Sequence, residues 1–178
     1  MKAVLMSIRP EWCKKILDGE KTVEIRKSCP AHGTPFKVYI YCTMTGSDKF
    51  FTDSLARNVD EWNLWKYPKR LGRVIGEFIC DDIRRIGPEY CVVKEDIESA
   101  IAGSCLTVPQ VKDYAGWKSG LSYADLKDLY GWHISDLRIY DRPRKLQELT
   151  GLRNTRFGME PVEITHPPQS WGYVEDGK

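Results

Sequence analysis

The run Lys21 to Lys27 (KTVEIRK) restricts the fold more than any other stretch of this chain. Its residues alternate strictly: Val23 and Ile25 point one way, Thr22, Glu24 and Arg26 the other. Side chains alternate across a β-strand, so the run predicts a strand with one apolar and one charged face. Asp18-Gly19 lies just before it and supplies a helix stop. The stretch Glu11 to Leu17 (EWCKKIL) places Trp12, Ile16 and Leu17 on one helical face. Pro10 suits the first turn of that helix, where a missing N–H costs nothing. Ala3 to Ile8 (AVLMSI) reads as a short, mostly buried strand before it.

The same reading runs on along the chain. Phe36 to Met44 alternates as a second strand, and Arg73 to Ile86 as a third, long one with Val74, Gly76, Phe78 and Cys80 on one face. Gly76 within it suggests a bulge or a close backbone approach. Residues 46–72 are too long for a hairpin loop and read as an insertion, with helix over Asp53 to Trp65. Glu95 to Ala102 and Ser122 to Tyr130 look helical, the second with Ser122 as cap and Gly131 as stop. Trp132 to Tyr140 reads as a strand, and the tail from Thr150 as loop until Pro167. Strand, helix, strands, helices, strand is an α+β order around a mixed sheet or small barrel.

With 178 residues the chain favours one domain, or one domain carrying an insertion. The balance of 27 basic and 25 acidic residues argues against a protein that coats long duplexes. An anionic ligand must then meet a local patch, which suits a small or single-stranded one. The six cysteines include no C-x-x-C pair and there are three histidines, so neither a structural zinc site nor any other metal or cofactor is expected. The opening MKAVLMSIRPEW has no signal-peptide core, and no stretch is apolar enough to span a membrane. The thiols are therefore expected to stay reduced in a cytoplasmic setting.

The charged face of the KTVEIRK strand carries the chemistry. Lys21, Thr22, Glu24, Arg26 and Lys27 can grip an anion and read a polar ring edge, because a guanidinium forks onto phosphate or carbonyl and a carboxylate accepts from an exocyclic amine. Against this stands the ordinary reading of a charged strand face, which is solvated and salt-bridged. Ser7 and Arg9, at the end of the first strand, would reach the same rim. In the insertion, Phe50, Phe51, Trp62, Trp65 and Tyr67 mix with Lys66, Lys69 and Arg70. They could stack single-stranded RNA, or close a small satellite core. A further basic group, Arg84-Arg85 with Arg138, Arg142, Arg144 and Lys145, reads first as solvated, and the isolated His133 and His166 as structural.

On these residues the sequence resembles a known family. MSIRPEWCKKILDGEKTVEIRK is similar to the opening of ASCH proteins: a strand, a helix ending in G-x-K-T, then an x-E-x-R strand. RVIGEFICDDI and LKDLYGWHISDLRIYDRP resemble the family's central strand and its closing elements. With the PPQSWGYVE tail, the combination looks most like members of bacterial prophage and phage origin. The resemblance implies a PUA-like β-barrel over residues 1–147, interrupted at 46–72, with 148–178 as an extension packed on it. It implies a cleft beside the first helix that binds RNA or a modified nucleoside. Some small bacterial members are amidohydrolases acting on acetylcytidine, through the lysine of G-x-K-T, a threonine three residues later and a distant glutamate. Lys21 matches that lysine, but Glu24 stands where the threonine would be. A carboxylate can serve as general base on water but not as a hydroxyl nucleophile. Thr22 offers a hydroxyl nearby, and Glu77, Glu95 or Glu98 could be the partner. The leading expectation is a binding module for RNA or a modified nucleoside. The alternative is an amidohydrolase using Lys21 with Glu24 or Thr22, and a third is a protein-interaction domain built on the aromatic insertion.

Overall fold

The computed structural model describes residues 3–44, 71–88, 94–117 and 126–177. The insertion's Phe50, Phe51, Trp62, Trp65, Lys66, Tyr67, Lys69 and Arg70 lie outside them, as do Cys91, the Glu95 side chain and 118–125. The chain divides into two units. The first holds Met1–Lys14, Lys37–Phe78 and Leu137–Lys178, the second Lys15–Phe36 and Ile79–Asp136.

The first unit is built on an open seven-stranded sheet. β1 (Ala3–Ile8) lies at its centre, parallel to β3 (Phe36–Cys42) and antiparallel to β10 (Trp171–Val174). All six residues of β1 are buried, as its apolar run predicts. β4 (Arg73–Cys80), β7 (Ser135–Arg144), β8 (Thr150–Thr155) and β9 (Gly158–Glu163) complete the order β7-β4-β3-β1-β10-β8-β9. Ala3, Leu5, Tyr39, Tyr41, Val74, Tyr140 and Val174 make its core with Leu146 and Leu149. Gly76 is a close approach: a Cβ there would lie 2.6 Å from the Arg138 carbonyl oxygen on β7.

The second unit packs a three-stranded antiparallel sheet, in the order β2 (Val23–Arg26), β6 (Leu129–His133), β5 (Ile83–Ile86), against two helices. Ile25, Leu129 and Ile86 on one sheet face join Ile97 of α2 (Lys94–Ala100) and Val111 of α3 (Val108–Ala115), with Ile101 and Trp117. α3 begins in a capping box, in which Thr107 and Gln110 satisfy each other's backbone N–H groups. The earlier helix α1 (Pro10–Leu17) starts at Pro10 as expected, with Pro10, Cys13 and Ile16 buried and Trp12 and Leu17 half-buried.

Several expectations need correction. The sheet does not close into a barrel: β7 and β9 stand at opposite edges, and closure requires the edges to pair. Arg73 to Ile86 is not one strand. Two exposed carboxylates, Asp81 and Asp82, interrupt it, and β4 and β5 enter different sheets. Leu129 and Tyr130 belong to β6 and not to a helix, and the strand expected over Trp132 to Tyr140 is two strands parted at Ile134. The stretch from Thr150 is a β8–β9 hairpin in register from Thr150 opposite Glu163 to Thr155 opposite Gly158, not loop.

Candidate functional site

β2 has two buried faces. Ile25 faces the helices, while Glu24 and Arg26 lie on the other side, opposite Trp132 and Tyr130 of β6. That second face was expected to meet solvent if the ordinary reading held. Instead Lys21 is 3% exposed, and Glu24 and Arg26 are each 7% exposed. Trp132, fully buried, meets Phe36 edge-on at 5.4 Å beside this face.

The three charged side chains form one cluster. Lys21 Nζ is 3.3 Å from Glu24 Oε2, and Arg26 Nη2 is 2.9 Å from Glu24 Oε1. Lys21 Nζ also donates to the Ser104 carbonyl oxygen at 2.6 Å. Burial removes competing water, so each of these contacts is stronger than it would be on the surface.

A turn distant in sequence positions the lysine. The Gly103 carbonyl accepts from the backbone N–H groups of Thr22 and Val23 at 2.9 and 3.1 Å. Gly103 has φ +77, and a Cβ on it would lie 2.3 Å from Thr22 Oγ1, so glycine alone fits. Cys105 Sγ donates to the Glu20 carbonyl at 3.3 Å, and the Lys21 N–H donates to the Lys15 carbonyl at 2.9 Å. The Ile134 N–H donates to the Thr22 carbonyl at 2.9 Å. The start of β2 is therefore held by backbone bonds on two sides, and the ammonium of Lys21 is delivered to Ser104.

Of the residues expected at the site, Lys21, Glu24 and Arg26 come together. Thr22 precedes the strand and is exposed; Lys27 follows it and is exposed, its ammonium 5.0 Å from the Tyr114 ring centroid. Ser7 and Arg9 belong to the first unit. Ser7 donates to the Pro168 carbonyl at 2.6 Å, and the Arg9 carbonyl accepts from the Trp12 and Cys13 N–H groups at the start of α1. Of the candidate glutamates, Glu77 of the first unit accepts from the Tyr140 hydroxyl, and Glu98 is exposed on α2. Lys66, Tyr67, Lys69 and Arg70 lie outside the described residues. His133 is not isolated: its Nδ1 is 2.6 Å from Asp81 Oδ1.

Sequence reasoning missed Gly103, Ser104 and Trp132. Gly-Ser-Cys after a helix signals a turn, but nothing in it says which strand the turn will hold. Among the described residues no three His, Cys, Asp or Glu side chains gather as a metal-ligand set, and no helix is long and apolar enough to cross a membrane.

No protein-family model and no curated protein matches the chain. Among solved structures it is similar to ASCH from Zymomonas mobilis, with a TM-score of 0.58 and 21% identity over 98% of this chain and 89% of that one. Two point variants of the same protein give TM-scores of 0.53 and 0.51, each at 19% identity. They cover 99% and 98% of this chain, and 92% and 89% of theirs. The chain therefore has the mixed α+β fold of an ASCH protein.

Proposed function

We propose that this protein is an ASCH-family member that binds RNA or a modified nucleoside at Lys21, Glu24 and Arg26. The carrying observation is the burial of these three charges in one cluster. Buried ion pairs are a poor route to stability, since apolar replacements of similar volume are often neutral or better. Such a cluster points to recognition. Each carboxylate oxygen of Glu24 can accept more than one hydrogen bond, so an exocyclic amine can still reach it. Arg26 offers a planar fork to a ring carbonyl or phosphate. The test is a fluorescence titration with short single-stranded and structured RNAs. Micromolar or weaker binding that falls as salt rises is expected, and Arg26→Lys should weaken it. A flat titration at low salt overturns the reading.

One observation favours a hydrolytic version of the same site: the Lys21 ammonium lies 3.3 Å from a carboxylate oxygen that could take a proton from water. Water would then add to the acyl carbon of an acylated nucleoside, the C–N bond would break, and the proton held by Glu24 would pass to the leaving amine. Acetylcytidine incubated with the protein should yield cytidine and acetate, resolved by chromatography. Cytidine formed undiminished by Lys21→Ala rules this site out.

A further inference from the structure

The sheet face that carries the cluster continues beyond it. Tyr130 on β6 is the cross-strand partner of Arg26 on β2 and of Arg85 on β5. Directly paired residues project to the same side of a sheet, so Arg26, Tyr130 and Arg85 form one row. Neighbouring strands are about 5 Å apart, so the row spans about 10 Å. Beside this row lies a hollow of about 540 Å³ lined by Lys27, Arg85, Leu126, Lys127, Asp128 and Tyr130, with Pro88.

The charges of this hollow are arranged for an anion. It holds three cations and one carboxylate, and the carboxylate is engaged. Asp128 accepts from Arg85 through both oxygens, at 2.6 and 3.0 Å. That fork fixes the guanidinium and neutralises Asp128 as a source of repulsion. Lys27 and Lys127 then add two exposed ammonium groups at the rim. Lys27 is steadied by the face of Tyr114. An ordinary solvated lysine pair would need neither a concave floor nor a hollow whose Tyr130 and Arg85 share the face of the buried charges.

We infer that this hollow is a phosphate subsite, in which Lys27 and Lys127 take the phosphate attached to the nucleoside whose base meets Arg26 and Glu24. The inference rests on the binding reading above and extends it by naming the phosphorylated form as the ligand. The phosphate can belong to a free nucleotide or to the phosphodiester of an RNA strand, and both present the same tetrahedral anion to the two ammonium groups.

The experiment measures affinity across a salt series for the wild type, Lys27→Gln, Lys127→Gln, their double variant and Glu24→Gln. Both lysines are exposed, so their variants should keep the wild-type circular dichroism and melting temperature. The probes are a fluorescent, short, mixed-sequence single-stranded RNA and a mixture of the four ribonucleoside monophosphates, with the four ribonucleosides as control. In the wild type, the logarithm of the affinity for RNA should fall linearly with the logarithm of salt concentration. Each lysine removed should flatten that slope by about 0.7. Glu24→Gln should weaken binding and leave the slope unchanged. The ribonucleosides should bind the lysine variants as they bind the wild type. Lysine dependence with the monophosphates identifies a nucleotide phosphate, and dependence with RNA alone identifies a phosphodiester. Slopes unchanged in the double variant overturn the subsite and leave the cluster's role standing. Flattened slopes with no effect of Glu24→Gln overturn the proposed base recognition and retain a phosphate site. Binding of neither probe by the wild type overturns both.

Discussion

Glu24 is the side chain on which the buried charges depend. Lys21 pairs with one of its oxygens and Arg26 with the other, and all three residues are almost fully shielded from water. Truncating it leaves two cations facing each other without the carboxylate. Breaking a buried pair in this way costs about 3–5 kcal/mol, far more than the pair's net stabilisation. Glu24→Ala should lower the unfolding free energy by that amount in a urea titration with an unchanged slope. Glu24→Gln, which keeps the volume and one acceptor oxygen, should lose less. A loss for Glu24→Ala below about 1 kcal/mol would mean that water reaches the cluster. These residue types were legible from KTVEIRK. Their enclosure was not, because alternation assigns a residue to a face but does not say what covers that face.

At the scale of elements, local chemistry served best where the hydrophobic pattern was strong. β1, α1 and β3 follow from an apolar run, a proline start and strict alternation. The β8–β9 hairpin escaped because its side chains are mostly exposed and carry no period; its ladder is a backbone matter. Leu129 and Tyr130 end a stretch that reads as helical. Pairing with β2 and β5 overrides that preference, as tertiary context often does in strands. Gly76 is the element-scale residue that sequence reading singled out correctly as a close approach. Gly76→Ala would drive a methyl group into the Arg138 carbonyl and part β4 from β7. The expected loss is about 1–3 kcal/mol, the usual range for overpacking, read from thermal or urea unfolding. An unchanged midpoint would show that the two strands are more loosely joined than their spacing implies.

Across the whole molecule, each unit is assembled from stretches far apart in the chain. The C-terminal segment shows how such ends are tied within the first unit. Lys37 Nζ is 2.7 Å from Asp176 Oδ1, and the Gly177 N–H donates to the Tyr39 hydroxyl at 3.1 Å. Burial pushes the Asp176 carboxyl up, but the hydrogen bond and the positive charge of Lys37, with the Tyr39 hydroxyl and other nearby positive charge, together outweigh it and hold the carboxyl below the ordinary carboxylate range. A depressed carboxylate stabilises the fold above its unfolded value, about 3.9, and that contribution is lost as pH falls through the folded value. Asp176→Asn should therefore cost about 1 kcal/mol near neutral pH and nothing in strong acid. Melting curves of the two proteins should differ by about 2–4 °C at pH 7 and converge only in strong acid, below the depressed value of the folded carboxyl. A difference that persists in acid would assign the effect to something other than this ion pair. The sequence by itself determined the opening strand β1, the first helix, the strand β3 and the residue types of the charged run, because neighbours within a few residues decide periodicity and capping. Only the tertiary structure decided that Lys21, Glu24 and Arg26 are enclosed. Their enclosure depends on Ser104, 83 residues from Lys21, and on the indole of Trp132 across the sheet. Contacts at that separation leave no trace in local spacing.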